Sequence, residues 1–241
     1  MSRERILLFF FLTLVFVGVS SLFFSRVWNE SRTRFRTGLP IPANILPDEL
    51  RELGGLIPEG PPKAPAIRPT DPLLSGGDTS KVTIIVFGDF ECQFCKNQAF
   101  ALDDAVDRVG RTSVRVVWRD LPLVNQHAHA MSAASVGRCA HAQHQFRGMH
   151  NLLFEKATAF NETEFLAFAR QLGLNEQDFL VCLRDPAIPF AISRDLEDAR
   201  DLAITEVPLM FIQGSPIVGF VDADTLEAIL KKELERATPP A

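Results

Sequence analysis

Tyrosine is absent from this chain of 241 residues, and the aromatic load falls on 20 phenylalanines and two tryptophans. Cysteine is scarce, with only Cys92, Cys95, Cys139 and Cys182. So few in so long a chain exclude a disulfide-dense miniprotein, which would be shorter and richer in cysteine. Net charge is −5, from 25 basic and 30 acidic side chains, and no block of one sign stands out. That argues against a nucleic-acid surface. There is no Gly-rich phosphate loop, no serine nucleophile elbow, no heptad pattern and no internal repeat, so the usual signatures of nucleotide, acyl-transfer and coiled-coil chemistry are missing. His141, His144 and His150 have mixed spacing and no paired carboxylate, which gives no metal pattern.

What is present begins with an unbroken apolar run, Ile6 to Phe24. Such a run nearly spans the ~30 Å hydrocarbon layer of a bilayer. Arg3 and Arg5 precede it as in an export signal. Gly18-Val19-Ser20 offers small residues for cleavage, but Leu22, Phe23 and Phe24 carry the run past them. The length favours a retained anchor, placing a single-pass membrane segment within residues 1–28. Arg26, Arg32, Arg34 and Arg36 follow it and would, by the positive-inside rule, draw the C-terminal side into the cytoplasm. The export-type N-terminus and the cysteine usage point the other way, to an extracytoplasmic catalytic domain. Residues 29–78 read as a linker. Nine prolines between 37 and 72 resist helix, giving a semi-rigid spacer or a plain disordered connector.

The folded domain is expected over 79–238. Val82 to Phe87 is a β-rich apolar run typical of a strand buried on both faces. A helix to about Val109 and a second strand over Ser113–Trp118 follow, a β-α-β unit with parallel strands. A helical insertion occupies about 125–186; in it, Asn161 with Glu164 forms a capping-box pattern. A helix over Phe190–Ile204, two short strands about Gly214 and a last helix capped by Asp222 complete the order.

Chemistry concentrates at Cys92-Gln93-Phe94-Cys95, where the buried strand turns into a helix. The first turn of a helix presents unpaired N–H groups and a positive dipole end, which stabilise a thiolate. Cys92 is therefore expected to be the nucleophile and Cys95, one turn in, the resolving thiol. The competing reading is half of a zinc site completed by Cys139 with His141 or His144. A zinc ribbon needs a second compact pair, which a helical pattern does not supply.

Phe87-Gly88-Asp89-Phe90-Glu91-Cys92-Gln93-Phe94-Cys95 resembles the DsbA-like branch of the thioredoxin superfamily. Leu121-Pro122-Leu123, His127, Gln145-Phe146, Met149-His150, Leu153-Phe154 and Val207-Pro208 extend the likeness over most of 80–236. The resemblance implies an α/β thioredoxin-like fold with a helical insertion, and thiol-disulfide exchange without a cofactor or metal. It also implies a cis Val207–Pro208 bond facing the cysteines and offering backbone to a substrate chain. Similar members bridge cysteines placed like Cys139 and Cys182; two buried free thiols or a second redox pair are the alternatives. The implied partners are thiols of exported proteins and a re-oxidising membrane oxidase of the DsbB or VKOR type.

Three departures matter. Relatives often carry a buried acid where Val86 stands. Asp89 or Glu91 could stand in, though both read more simply as turn or solvent-facing residues. Proline is common at Gln93, and strong oxidants often have histidine at Phe94. Cys92 should thus be a less stabilised thiolate than in DsbA itself. His127 and His129 read as structural residues at a helix start. The alternatives to disulfide introduction are a reductase or isomerase, and a tethered binding or chaperone module whose thiols are incidental.

Overall fold

The computed structural model describes residues 64–237. The anchor expected at Ile6–Phe24 and the linker up to residue 63 lie outside the described residues. Among those residues no helix is long and apolar enough to cross a membrane.

Five strands form one sheet in the order β1-β3-β2-β4-β5. They are β1 (Leu73–Ser75), β2 (Val82–Gly88), β3 (Val114–Asp120), β4 (Leu209–Ile212) and β5 (Ser215–Val218). β2 and β3 are parallel; β1 on β3, β4 on β2 and β5 on β4 are antiparallel. The helices are α1 (Gln93–Val109), α2 (Ala130–Ala142), α3 (Phe146–Lys156), α4 (Glu162–Gln171), α5 (Glu176–Leu183), α6 (Ala187–Asp201) and α7 (Ala223–Arg236).

Strand alternation explains the apolar run in β2. Successive side chains of a strand point to opposite faces. Val82, Ile84 and Val86 enter one core with Leu102 and Val106 of α1, Leu226 and Leu230 of α7, and the insertion helices α2–α5. Ile85 and Phe87 enter a second core on the other face, beneath Leu196 and Ala199 of α6. Both faces being covered, every residue of the strand but Thr83 is buried.

The last part of the segment read as linker belongs to this fold. Leu73–Ser75 is the edge strand, and Ala64, Ile67 and Leu73 pack on the second core. A buried charge network holds them there. Arg119, fully buried, reaches Asp71 (2.7 Å), Asp195 (3.0 Å), Asp198 (2.9 Å) and the Ala66 carbonyl (2.6 Å). Arg68 bridges Asp195 and Asp198, and Arg138 bridges Asp120 and Asp195. Burial and the neighbouring Asp120 push the Asp195 carboxyl up, so the three guanidiniums around it are what keep it usable as an anion.

Cys139 of α2 and Cys182 of α5 are joined by a disulfide with 5.7 Å between Cα atoms. Closing a loop of 43 residues' separation contributes about 4 kcal/mol in the chain-entropy picture. The bridge also leaves Cys139 unavailable as a zinc ligand. Asn161 caps α4 by accepting the Glu164 N–H, as its pattern suggested. The Glu164 carboxylate, however, accepts from Thr158, Ala159 and Phe160, tying down the preceding loop instead of the Asn161 N–H.

Removing one partner of a buried ion cluster leaves the others uncompensated, at roughly 3–5 kcal/mol. Arg119→Met should therefore lower unfolding free energy by about that much in urea titrations. A loss below about 1 kcal/mol would mean that the network does not hold residues 64–73 to the sheet.

Candidate active site

The register of the sheet sets the site. β2 and β3 run in parallel and end together at Gly88 and Asp120. β4 enters antiparallel, with Leu209 opposite Phe87, so Val207 and Pro208 arrive beside the end of β2. The chain turns there through Asp89, Phe90 and Glu91 into α1, and Cys92 is the residue that caps it. Gly88 is needed at this turn: a Cβ would lie 2.3 Å from the Trp118 ring, closer than any real contact. Trp118 in turn stacks on Phe90, with ring centres 5.0 Å apart.

Cys92 and Cys95 are both reduced, and their environments differ. The Cys95 N–H donates to the Cys92 sulfur (3.3 Å), and the Cys92 thiol lies 3.8 Å from the Val207 carbonyl. Cys92 is pulled down to about 6, first by the Cys95 side chain donating to it and then by the Cys95 and Phe94 N–H groups; burial and Asp89 act against this. Cys95 is 2 % exposed. Burial, with the neighbouring Cys92 sulfur, pushes its thiol far above the ordinary range. One sulfur is therefore a thiolate at neutral pH and the other holds its proton. Gln93 and Phe94 are both exposed, and Phe94 presents its ring to solvent at 65 % exposure.

The structure brings together most of the residues singled out from sequence. Val207–Pro208 is a cis bond, and the Val207 carbonyl is the one facing Cys92. Val86 is buried and carries no acid to the resolving thiol. Asp89 stands at the turn, one of the two expectations for it, but does not face solvent, being 2 % exposed. Its carboxylate accepts from the Glu91 N–H (2.8 Å) and the Leu123 N–H (2.7 Å) and pairs with His127 Nδ1 (3.0 Å). His127 thus joins the site: its hydrogen bond to Asp89 raises its pKa against the lowering effect of burial, with smaller contributions from Glu91 and Cys92. The sequence signal was an acid three residues before the nucleophile, in a turn where a polar side chain can accept backbone N–H groups. Glu91 accepts the His129 N–H (2.6 Å), and the His129 ring stacks on Phe160.

A thioredoxin family model matches residues 69–232. The chain belongs to the thioredoxin family. Among solved structures it is similar to a thioredoxin-like oxidoreductase from Silicibacter pomeroyi DSS-3, at 25% identity and TM-score 0.60, covering 72% of this chain and 95% of that one. It also shares the fold of the thiol-disulfide exchange protein alpha-DsbA2 from Wolbachia pipientis, at 22% identity and TM-score 0.61 over 70% of this chain and 88% of that one. The catalytic domain of Proteus mirabilis ScsC gives 21% identity and TM-score 0.60 over 70% and 91%. Curated relatives include a Na(+)/H(+) antiporter NhaA of Herminiimonas arsenicoxydans, 28% identical over 69% of this chain and 26% of that protein. Another is NhaA 3 of Salinispora tropica, 31% identical over 66% and 25%. The chain spans about a quarter of the length of these relatives. The thioredoxin-like domain expected from the sequence is thus present.

Because only the thiolate alkylates, the rate of iodoacetamide labelling at Cys92 should rise with pH and level off, with its half-point near 6. Cys95 should stay unlabelled in the folded protein. A half-point near ~8.5, the ordinary cysteine value, would contradict the N–H and thiol contacts as the source of activation.

Proposed function

We propose that this protein introduces disulfides into exported proteins by dithiol-disulfide exchange at Cys92 and Cys95. The observation that carries the reading is the asymmetry of the pair: a stabilised thiolate at the helix start and a buried, protonated thiol behind it. Stabilising the reduced form makes a couple a stronger oxidant. A Cys92 value of about 6 falls between thioredoxin, near ~7, and DsbA, near ~3.5. That agrees with the thiolate less stabilised than in DsbA that Gln93 and Phe94 lead us to expect.

In the reaction a substrate thiolate attacks the Cys92 sulfur of the Cys92–Cys95 disulfide. The Cys92–Cys95 bond breaks, and its electron pair leaves on Cys95, which is then protonated. A second substrate thiolate attacks the substrate sulfur of the mixed disulfide and expels Cys92 as a thiolate. The substrate has lost two electrons and gained a disulfide; the protein is left as the dithiol. The Val207 backbone beside Cys92 and the exposed Phe94 ring are the surfaces that meet the substrate chain. Residues 1–28 would tether the domain outside the cytoplasm, and a DsbB- or VKOR-type membrane oxidase would restore the disulfide. A solved relative of the same fold from Salmonella enterica is described as periplasmic, which supports that placement.

The test uses the oxidised full-length protein with a reduced, unfolded protein carrying a thiol pair. Cys92→Ser should abolish disulfide formation, and Cys95→Ser should accumulate a mixed disulfide through Cys92. Unchanged behaviour of Cys92→Ser would instead identify a binding or chaperone module with incidental thiols.

A further inference from the structure

Each turnover moves a proton onto or off Cys95, yet this thiol is buried and the strand beneath it offers only Val86. The Asp89 carboxylate is engaged by two backbone N–H groups and His127. What shares space with Cys95 is a small cavity. It offers about 20 Å³ to the centre of a water molecule, and its walls include Cys95, Trp118, Pro208 and His150. That is room for one water.

His150, on α3, is 4 % exposed. Its ring is enclosed by Phe90, Trp118, Phe146 and Phe154, with centres 4.9 to 5.9 Å away. His150 Nδ1 lies 3.1 Å from Asn151 Oδ1. A carboxamide oxygen only accepts, so the proton sits on Nδ1 and Nε2 keeps a lone pair. Nε2 is buried and has no hydrogen-bond partner. A buried polar nitrogen without a partner is costly and calls for an explanation.

We infer that His150 Nε2 relays the Cys95 proton through one water in this cavity. The inference rests on the exchange reading above and adds a residue to it. When Cys95 closes on a mixed disulfide, its thiol proton passes through the water to Nε2. The Cys95 sulfur attacks the Cys92 sulfur, the Cys92–Cys95 bond forms, and the bond from Cys92 to the partner sulfur breaks. The partner leaves as a thiolate with that electron pair, and the imidazolium gives its proton to solvent. In the opposite direction Nε2–H returns the proton to the departing Cys95 thiolate.

Burial holds His150 down to about 4, so it is neutral at pH 7 and does not keep the proton. Asp103 of α1 raises it and Arg147 of α3 lowers it, while Arg111 also lines the cavity. Once Cys92 is capped in a mixed disulfide, its hydrogen bond and charge no longer add to the burial that holds the proton on Cys95.

The experiment follows the reduced full-length protein with oxidised glutathione, comparing it with His150→Gln and His150→Phe. The first phase attaches glutathione at Cys92; the second releases it as Cys95 closes. Both variants should keep the first phase within about twofold and slow the second by about 10- to 100-fold, the scale of a positioned acid-base group. The second phase should also become first order in hydroxide, a dependence that the unaltered protein lacks. An unchanged second phase, or both phases slowing together, overturns the proposal. No attachment at Cys92 in the unaltered protein overturns the exchange reading and this one with it. Nitrogen-15 NMR of the unaltered protein decides independently of how the variants fold. His150 should carry its proton on Nδ1, with an Nε2 signal that shifts between dithiol and disulfide forms; a proton on Nε2 overturns the assignment.

Discussion

The Cys92 sulfur at the first turn of α1 accepts from the Cys95 N–H and from the Cys95 thiol, and the chemistry of the domain depends on that arrangement. A sulfur placed anywhere else on the helix would lack free N–H groups, because only the first turn leaves them unpaired. The second cysteine has to be three residues on, so that it faces the first from one turn deeper in the core. The same contact that draws the proton off Cys92 leaves it on Cys95. One geometry thus makes two unlike thiols from one residue type, and exchange chemistry needs that difference.

The scaffold serves this contact by fixing where α1 starts. β2, buried on both faces, delivers the chain to Gly88, where Trp118 lies too close for a side chain. Asp89 then gathers the Glu91 and Leu123 N–H groups and His127 into one turn. Gln98 ties the far side of α1 to Val221, just before α7, by hydrogen bonds in both directions. On the other face of the sheet, the arginine–aspartate network anchors residues 64–71 against β3 and α6. A rigid frame of this kind is what lets a 3.3 Å contact persist in a turn.

Much of this could be read from the chain because it is local. The apolar run of β2, the cysteines at its junction with α1, and the caps at Asn161 and Asp222 all involve residues within a few positions of each other. Family likeness added what spacing could not: the cis bond at Pro208 and the Cys139–Cys182 bridge. The remainder was hidden for a physical reason. Arg68 and Asp195 are 127 positions apart, and nothing in either neighbourhood announces a buried pair. β1 is three residues in a proline-rich stretch, too short for periodicity. Asp89 and His150 look like ordinary polar residues until burial makes their hydrogen bonds matter.

The reduction potential of the Cys92–Cys95 couple, measured against glutathione buffers at pH 7, tests the central claim most directly. A thiolate stabilised as described should place the couple between about −230 and −120 mV, above thioredoxin and short of DsbA. A value near about −270 mV, that of thioredoxin, would contradict an oxidising role and make the protein a reductase.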